Sequence, residues 1–414
     1  MKKAIVLGAD NGYMDKVETT IKSVCAHNDH IKFYVFNDDL PSEWFRVMNK
    51  RLKTIHSEIV NVKISDHSLR NYRLAISYLS YAAYFRYFIG EFVEEERAIY
   101  LDSDIIVTGS LDNLYNVDLE EYMLAGVPDY FDGDYTGDFN SGMMIIPATR
   151  WKQEQVASQL LELTEQYHQT VFGDQGILNI LFRGQWKKLN RLNNFMVGMD
   201  TLAQSVNDRA WYDSALPEGV YPLIIHYTDD KPWYHLSNNR YRSTWWFYYS
   251  VDWSDILLRK NPINENEVGD WYTLIEPPKY YTAIFTDSCE LEQIEILLKE
   301  LPQVHFTILA HTVFASSVID LQKFGNVSIH PGFTPFNLDD IMSKLDFYLD
   351  INHGNQIADI INKVHNIGKP VYAFDVTNHD DCGRSKVFPV SEVDLMINEI
   401  KLELDLKKKG KLDE

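Results

Sequence analysis

The chain has 414 residues, 45% of them hydrophobic, with 39 Lys plus Arg against 60 Asp plus Glu and a net charge of -21. That length exceeds one compact core, so two globular domains are expected, and the acidic balance excludes a general affinity for nucleic acid or anionic lipid. A polyanionic ligand would need local positive charge, which a divalent cation held by carboxylates supplies.

In chain order, Met1-Lys2-Lys3 and the apolar run Ala4 to Gly8 have the start of a signal peptide, but Asp10 ends the run after a few residues, so it predicts a buried first strand. Further short runs at Lys32 to Phe36, Ile59 to Ile64 and Ala98 to Leu101 also read as strands. Met14 to Ala26 places Val17, Ile21, Val24 and Cys25 on one helical face, as a crossover helix does. Leu69 to Phe92 is the longest helical pattern before an acidic cluster. The rhythm predicts an α/β fold: a mostly parallel sheet flanked by helices.

Lys260 to Pro278 interrupts it with Pro262, Gly269, Pro277 and Pro278, which places a first domain at 1–262 and a second, smaller α/β domain at 278–414. There the strands are expected at Tyr281 to Thr286, His305 to Leu309, Phe347 to Asp350 and Pro370 to Phe374, with a helix reaching about Glu300 and a helix end and frayed tail over Lys401 to Glu414. No stretch approaches the roughly 18 to 20 uncharged apolar residues of a membrane-spanning helix. Cys25, Cys289 and Cys382 are far apart and lack CxxC pairing, which fits a reducing compartment and a cytoplasmic location.

Chemistry concentrates at Ile99-Tyr100-Leu101-Asp102-Ser103-Asp104-Ile105-Ile106-Val107. Strand side chains alternate, so Asp102 and Asp104 are expected to point the same way from the strand's carboxyl end, where open α/β sheets bind ligands. Like charges so close repel unless a cation joins them, and an oxygen-rich site suits Mn or Mg. A lone Asp-x-Asp also occurs as a simple turn cap. A second apolar run, Pro222 to Ile225, delivers His226 and then Lys231; an imidazole can complete a metal shell and a lysine can pair with phosphate, while taken alone the two read as a hydrogen-bonded half-buried histidine and a surface lysine.

Four stretches in order carry a resemblance: Ala9-Asp10-Asn11-Gly12-Tyr13, Tyr100 to Asp104, Phe139-Asn140-Ser141-Gly142 with Gly173-Asp174-Gln175, and His226 to Trp233. Together they resemble family 8 retaining glycosyltransferases, over nearly all of Met1 to about Arg259. The resemblance implies a GT-A fold, a UDP-sugar donor and a cation on Asp102, Asp104 and His226, Mn first and Mg second. It implies that Ala9, Asp10 and Asn11 meet the nucleoside, that Tyr13 stacks on the uracil, and that Arg86 and Ser103 reach the donor. Asp129 and Asn140 would hold sugar hydroxyls, with Asp174 and Gln175 at the reacting centre; for Asp138 a helix cap is the preferred role.

Three positions depart from the family pattern. Asp229 stands where the family has glycine, and Lys231 comes five residues after His226 rather than six, which loosens its phosphate assignment; Gly12 stands where the family often has Asn. In the aromatic run from Trp233 to Trp253 only Trp233 and Tyr234 are kept as acceptor contacts, the rest reading as a helix packed on the sheet. The second domain resembles a Rossmann-type half and reads as an acceptor-docking or scaffold module. The two-part arrangement resembles the streptococcal enzymes that extend O-glycans on serine-rich adhesins, which implies galactose as the donor sugar and a glycan or glycoprotein as acceptor. Two other classes compete: a haloacid-dehalogenase-like phosphohydrolase, which puts its acids on the first strand, and a non-catalytic sugar-nucleotide-binding module.

Overall fold

A computed structural model describes residues 2–65, 81–129, 137–168, 173–216, 219–237, 239–264, 266–268, 279–332, 338–357 and 359–410. They form two compact units, one of Met1–Thr201 with Leu216–Trp271 and one of Leu202–Ala215 with Tyr272–Glu414.

In the first unit, strands β1 (Lys3–Gly8), β2 (Ile31–Asn37), β3 (Glu58–Lys63) and β4 (Ala98–Leu101) pair in parallel in the order β3-β2-β1-β4. Ala4, Ile5, Val6 and Leu7 are all fully buried, as a central strand covered on both faces must be. β5 (Ile105–Val107) leaves this sheet, while β6 (Leu124–Pro128), β7 (Phe139–Ile146) and β8 (Trp186–Lys188) complete seven strands, with β7 antiparallel to β4 and to β6. A second sheet, β5-β10-β9, is made with β9 (Phe195–Met196) and β10 (Ile224–His226).

The helix Met14–Cys25 buries Val17, Ile21 and Val24. The expected apolar strand across Ile99 to Val107 is broken at Asp102 to Asp104: β4 and β5 belong to different sheets, and the two acids occupy the turn between them. Of the helical pattern at Leu69 to Phe92, residues 69–80 lie outside the described residues, Tyr81–Phe88 is a 3-10 helix and Ile89–Phe92 a single α turn. The aromatic helix Arg242–Ser250 has the helix Met14–Cys25 as its principal partner rather than the sheet. Asp138 directly precedes β7 rather than a helix, and its carbonyl accepts the Asp129 N–H.

The second unit is one parallel sheet in the order β13-β12-β11-β14-β15-β16. Its strands are β11 (Tyr280–Phe285), β12 (Val304–Leu309), β13 (Val327–His330), β14 (Phe347–Asp350), β15 (Val371–Phe374) and β16 (Lys386–Phe388). The sequence reading finds four of them and misses β13 and β16, whose runs are short and only partly buried. The C-terminal helix is continuous over Val393–Gly410. Among the described residues no helix is long and apolar enough to cross a membrane, and all three cysteines are unpaired.

Candidate functional site

A cleft opens at the carboxyl ends of β1 and β4. It is lined by Gly8, Ala9, Asp10, Tyr13, Ala82, Ala83, Arg86, Tyr100, Asp102, Ser103, Asp104 and Lys231. Ala9 and Asp10 arrive directly from β1, and Tyr13 ends the short turn Asn11–Tyr13. Burial, reinforced by Asp104 and opposed by Lys231, pushes the Tyr13 phenol up to about 12, so the ring is neutral. Trp233 meets it edge-on at 6.0 Å, and the exposed Tyr234 adjoins Trp233. Asn11 stands apart: it is exposed, does not line the cleft, and its N–H donates to Asp39 Oδ1 at 2.8 Å.

The turn carrying the two acids is tied down from three sides. Asp102 N–H donates to Gly142 O on β7, and Tyr227 N–H donates to Asp104 O at the end of β10. From the helix Met14–Cys25, Thr20 Oγ1 makes a bifurcated hydrogen bond to Ser103 O and Ile105 O, at 3.1 and 2.8 Å. The acids converge because the chain turns between sheets there, not because strand side chains alternate. His226 Nε2 lies 3.8 Å from Asp102 Oδ2 and 3.4 Å from Asp104 Oδ1. These three residues each offer a ligand atom within 4.8 Å of the others. Asp104 Oδ1 is buried without a hydrogen bond, a costly state for a carboxylate oxygen that a cation would relieve. Two hard oxygens and an imidazole are a donor set that fits Mn or Mg.

The remaining carboxylate oxygens are held by cations of the chain itself. Arg86, 4% exposed, donates from Nη2 to Asp102 Oδ1 at 2.8 Å, from Nη1 to Ser141 O and Oγ at 2.8 and 2.9 Å, and from Nε to Ala83 O at 2.8 Å. Its Nε also lies 3.0 Å from Asp174 Oδ2, but that N–H is aimed at Ala83, leaving the buried Oδ2 without a hydrogen bond. The family resemblance has Arg86 reach the donor; its guanidinium also organises Asp102, Ser141 and Ala83. Lys231 Nζ donates to Asp104 Oδ2 at 2.7 Å and to Tyr227 O at 2.6 Å. Burial opposes charge on Asp104, yet Lys231 and His226 outweigh it and hold this carboxyl well below the usual range. The shortened loop shows in Asp229, whose φ of 64° takes the left-handed conformation that glycine adopts at no steric cost.

On the far side of Arg86, Asp174 and Gln175 open the helix Gly173–Leu181. Burial pushes the Asp174 carboxyl up, with Arg86 opposing and Asp102 adding to the rise. Gln175 Oε1 accepts from Ser141 N at 3.0 Å and from Asn140 Nδ2 at 3.2 Å, while Gln175 Nε2 donates to Asp129 Oδ2 at 2.7 Å. The structure therefore brings Asp129, Asn140, Asp174 and Gln175 into one cluster beside the cleft. Sequence reasoning misses Tyr100, whose hydroxyl donates to Asp102 Oδ1 at 2.8 Å; its position two residues before Asp102 is the signal available. It also misses Asn194, fully buried, 3.1 Å from His226 Nδ1.

This fold is that of the GT-A glycosyltransferases. The chain belongs to glycosyl transferase family 8, whose profile matches residues 4–237, and the GftB/GlyA-F C-terminal domain profile matches residues 282–412. It is 53% identical to the glycosyltransferase GlyB of Streptococcus pneumoniae serotype 4 (strain ATCC BAA-334 / TIGR4), over 96% of this chain and 98% of GlyB. It is similar to the crystal structure of the apo-form glycosyltransferase GlyE of S. pneumoniae TIGR4, with 34% identity, a TM-score of 0.55 and coverage of 97% and 99% of the two chains. It is also similar to the galactosyltransferase LgtC in complex with donor and acceptor sugar analogues, with 25% identity and a TM-score of 0.53, over 59% of this chain and 95% of LgtC.

Proposed function

We propose that this glycosyltransferase moves a hexose, galactose in the first instance, from a UDP-sugar to an acceptor glycan with retention of anomeric configuration, using Mn or Mg on Asp102, Asp104 and His226. The observation that carries the reading is the meeting of those three side chains at the cleft lined by Tyr13 and Arg86, one oxygen among them buried and unsatisfied. The acceptor is an O-linked glycan on a serine-rich adhesin and the setting is the cytoplasm, with residues 1–262 as the catalytic domain and residues 278–414 as a docking or scaffold domain.

A bound divalent ion supplies charge neutralisation for the departing diphosphate. The side chains do the rest. Tyr13 gives a neutral ring face for a planar base, beside Ala9 and Asp10. Arg86 keeps Asp102 oriented and, with Ser103, adds donors next to the diphosphate; Lys231 turns from Asp104 to a phosphate oxygen. Asp129, Asn140 and Asp174 present paired donors and acceptors to sugar hydroxyls. Gln175 is a poor nucleophile, and its amide is already engaged at both ends. Front-face displacement fits better: the bond from the anomeric carbon to phosphate breaks, the acceptor oxygen bonds on the same face, and its proton passes to the departing phosphate oxygen. Trp233 and Tyr234 offer ring surface to the acceptor.

The test is UDP release with Mn present from UDP-galactose, UDP-glucose and UDP-GlcNAc. UDP-galactose is expected to be fastest, chelation to abolish the reaction, and Asp102→Ala to slow it by about 100-fold or more. Equal release by Asp102→Ala, or release indifferent to chelator, overturns the proposal.

A further inference from the structure

We infer that Asn194 is a positioning residue for the cation-binding imidazole: it holds His226 in the tautomer with its proton on Nδ1, leaving the Nε2 lone pair facing Asp102 and Asp104. The inference rests on the cation reading of the site given above. Its evidence is a chain of hydrogen bonds whose direction is fixed at one end by groups that have no choice.

The Gly142 N–H can only donate, and it meets Asn140 Oδ1 at 3.1 Å. The Asp129 carboxylate accepts, and it faces Asn140 Nδ2 at 3.3 Å. These two contacts settle which end of the Asn140 amide is oxygen, an assignment that otherwise depends on the network. Asn194 Nδ2 donates to that oxygen at 2.9 Å, so Asn194 turns Oδ1 toward His226 Nδ1, 3.1 Å away. An oxygen acceptor at that distance requires the imidazole proton to be on Nδ1.

Nε2 then points at Asp104 Oδ1, 3.4 Å off, with no hydrogen bond formed to that oxygen. A lone pair and two carboxylates directed at one point are complementary to a cation and to little else. The backbone reinforces the arrangement: Asn194 directly precedes β9, and β9 runs parallel to β10 with Met196 opposite His226. Gln175 and Asn140 both bond Asp129, so the residues assigned to sugar hydroxyls and the ligand imidazole form one connected unit. Partners of this kind on ligand histidines typically contribute about 10- to 100-fold in metal affinity.

The experiment is Mn2+ binding to the full-length protein, followed by electron paramagnetic resonance of the free ion, with melting temperatures recorded alongside. Asn194→Leu is expected to weaken binding by about 10- to 100-fold. Asn194→Asp, which keeps an acceptor for Nδ1–H but loses the donation to Asn140, is expected to stay within a few-fold of the unmodified protein even if both variants melt lower. Equal binding by Asn194→Leu, or equal losses in both variants, reduces Asn194 to packing and overturns the inference while leaving the cation reading intact. Failure of the unmodified protein to bind Mn2+ or Mg2+ sinks that reading itself. Should Asn194→Leu not fold, nitrogen NMR of histidine-labelled protein decides, with the His226 signals assigned by their loss in His226→Ala: Nδ1–H supports the inference and Nε2–H overturns it.

Discussion

At position 142 only a hydrogen atom fits. A Cβ built on Gly142 would stand 2.1 Å from His226 Cε1 and 2.9 Å from Asp102 Oδ2, and both neighbours are held by bonds of their own. Gly142→Ala is expected to cost about 1–3 kcal/mol as overpacking, read by denaturant melting, and to weaken Mn2+ binding; unchanged binding would mean that the ligands tolerate a shift. Lys231→Met tests the opposite direction. Freed of its lysine partner, Asp104 is expected to bind Mn2+ more tightly without nucleotide, while the KM for the UDP-sugar rises because a phosphate contact is gone; calorimetric titration and initial rates check the two halves. Single residues are legible where a chemical type recurs at a telling spacing, as with Asp102 and Asp104, whereas the ligand role of His226 comes from the family resemblance. Asn194, inside Leu192-Asn193-Asn194-Phe195, carries no such signal, because its partners lie on β7 and β10 and only folding brings them near.

At the level of elements, the site depends on a chain that changes sheets. Strand alternation predicts two parallel carboxylates on a continuous strand, whereas pairing of β4 with β1 and β7, and of β5 with β10, makes Asp102 to Asp104 a corner. Sequence periodicity marks where a strand runs but not which neighbour it chooses, so the residues were identified and the reason for their convergence was not. The corner is braced by Thr20, a buried hydroxyl on a helix that also buries Thr19 and Ser23 among Val17, Ile21 and Val24. Thr20→Val removes the donor and leaves the buried Ile105 carbonyl and the half-buried Ser103 carbonyl short of it. A loss of about 1–3 kcal/mol is expected in urea melts, with weaker Mn2+ binding; a stable variant with lower metal affinity would isolate the positioning effect. The strands of the second unit were legible for a simpler reason: β11, β12, β14 and β15 are compact apolar runs, and fully parallel sheets bury such runs on both faces.

Across the whole molecule the two units have separate cores, one around Val6, Tyr34, Tyr100 and Met144, the other around Ala283, Phe285, Tyr348 and Val371. Separate cores are expected to give thermal unfolding in more than one calorimetric step. UDP with Mn2+ at 100 times its Kd should stabilise the step that belongs to the first unit by about 2.7 kcal/mol and leave the other unmoved; a uniform shift of a single transition would show that the units unfold together. The charge balance of the cleft adds a consequence for how substrate arrives. Each of its two basic side chains already neutralises one aspartate, Arg86 on Asp102 and Lys231 on Asp104, within a chain of net charge -21. Under the proposed cation-dependent reading, a bare nucleotide diphosphate finds no surplus positive potential to enter by, and loading is expected to follow a compulsory sequence: the ion first, or ion and nucleotide arriving as one chelate.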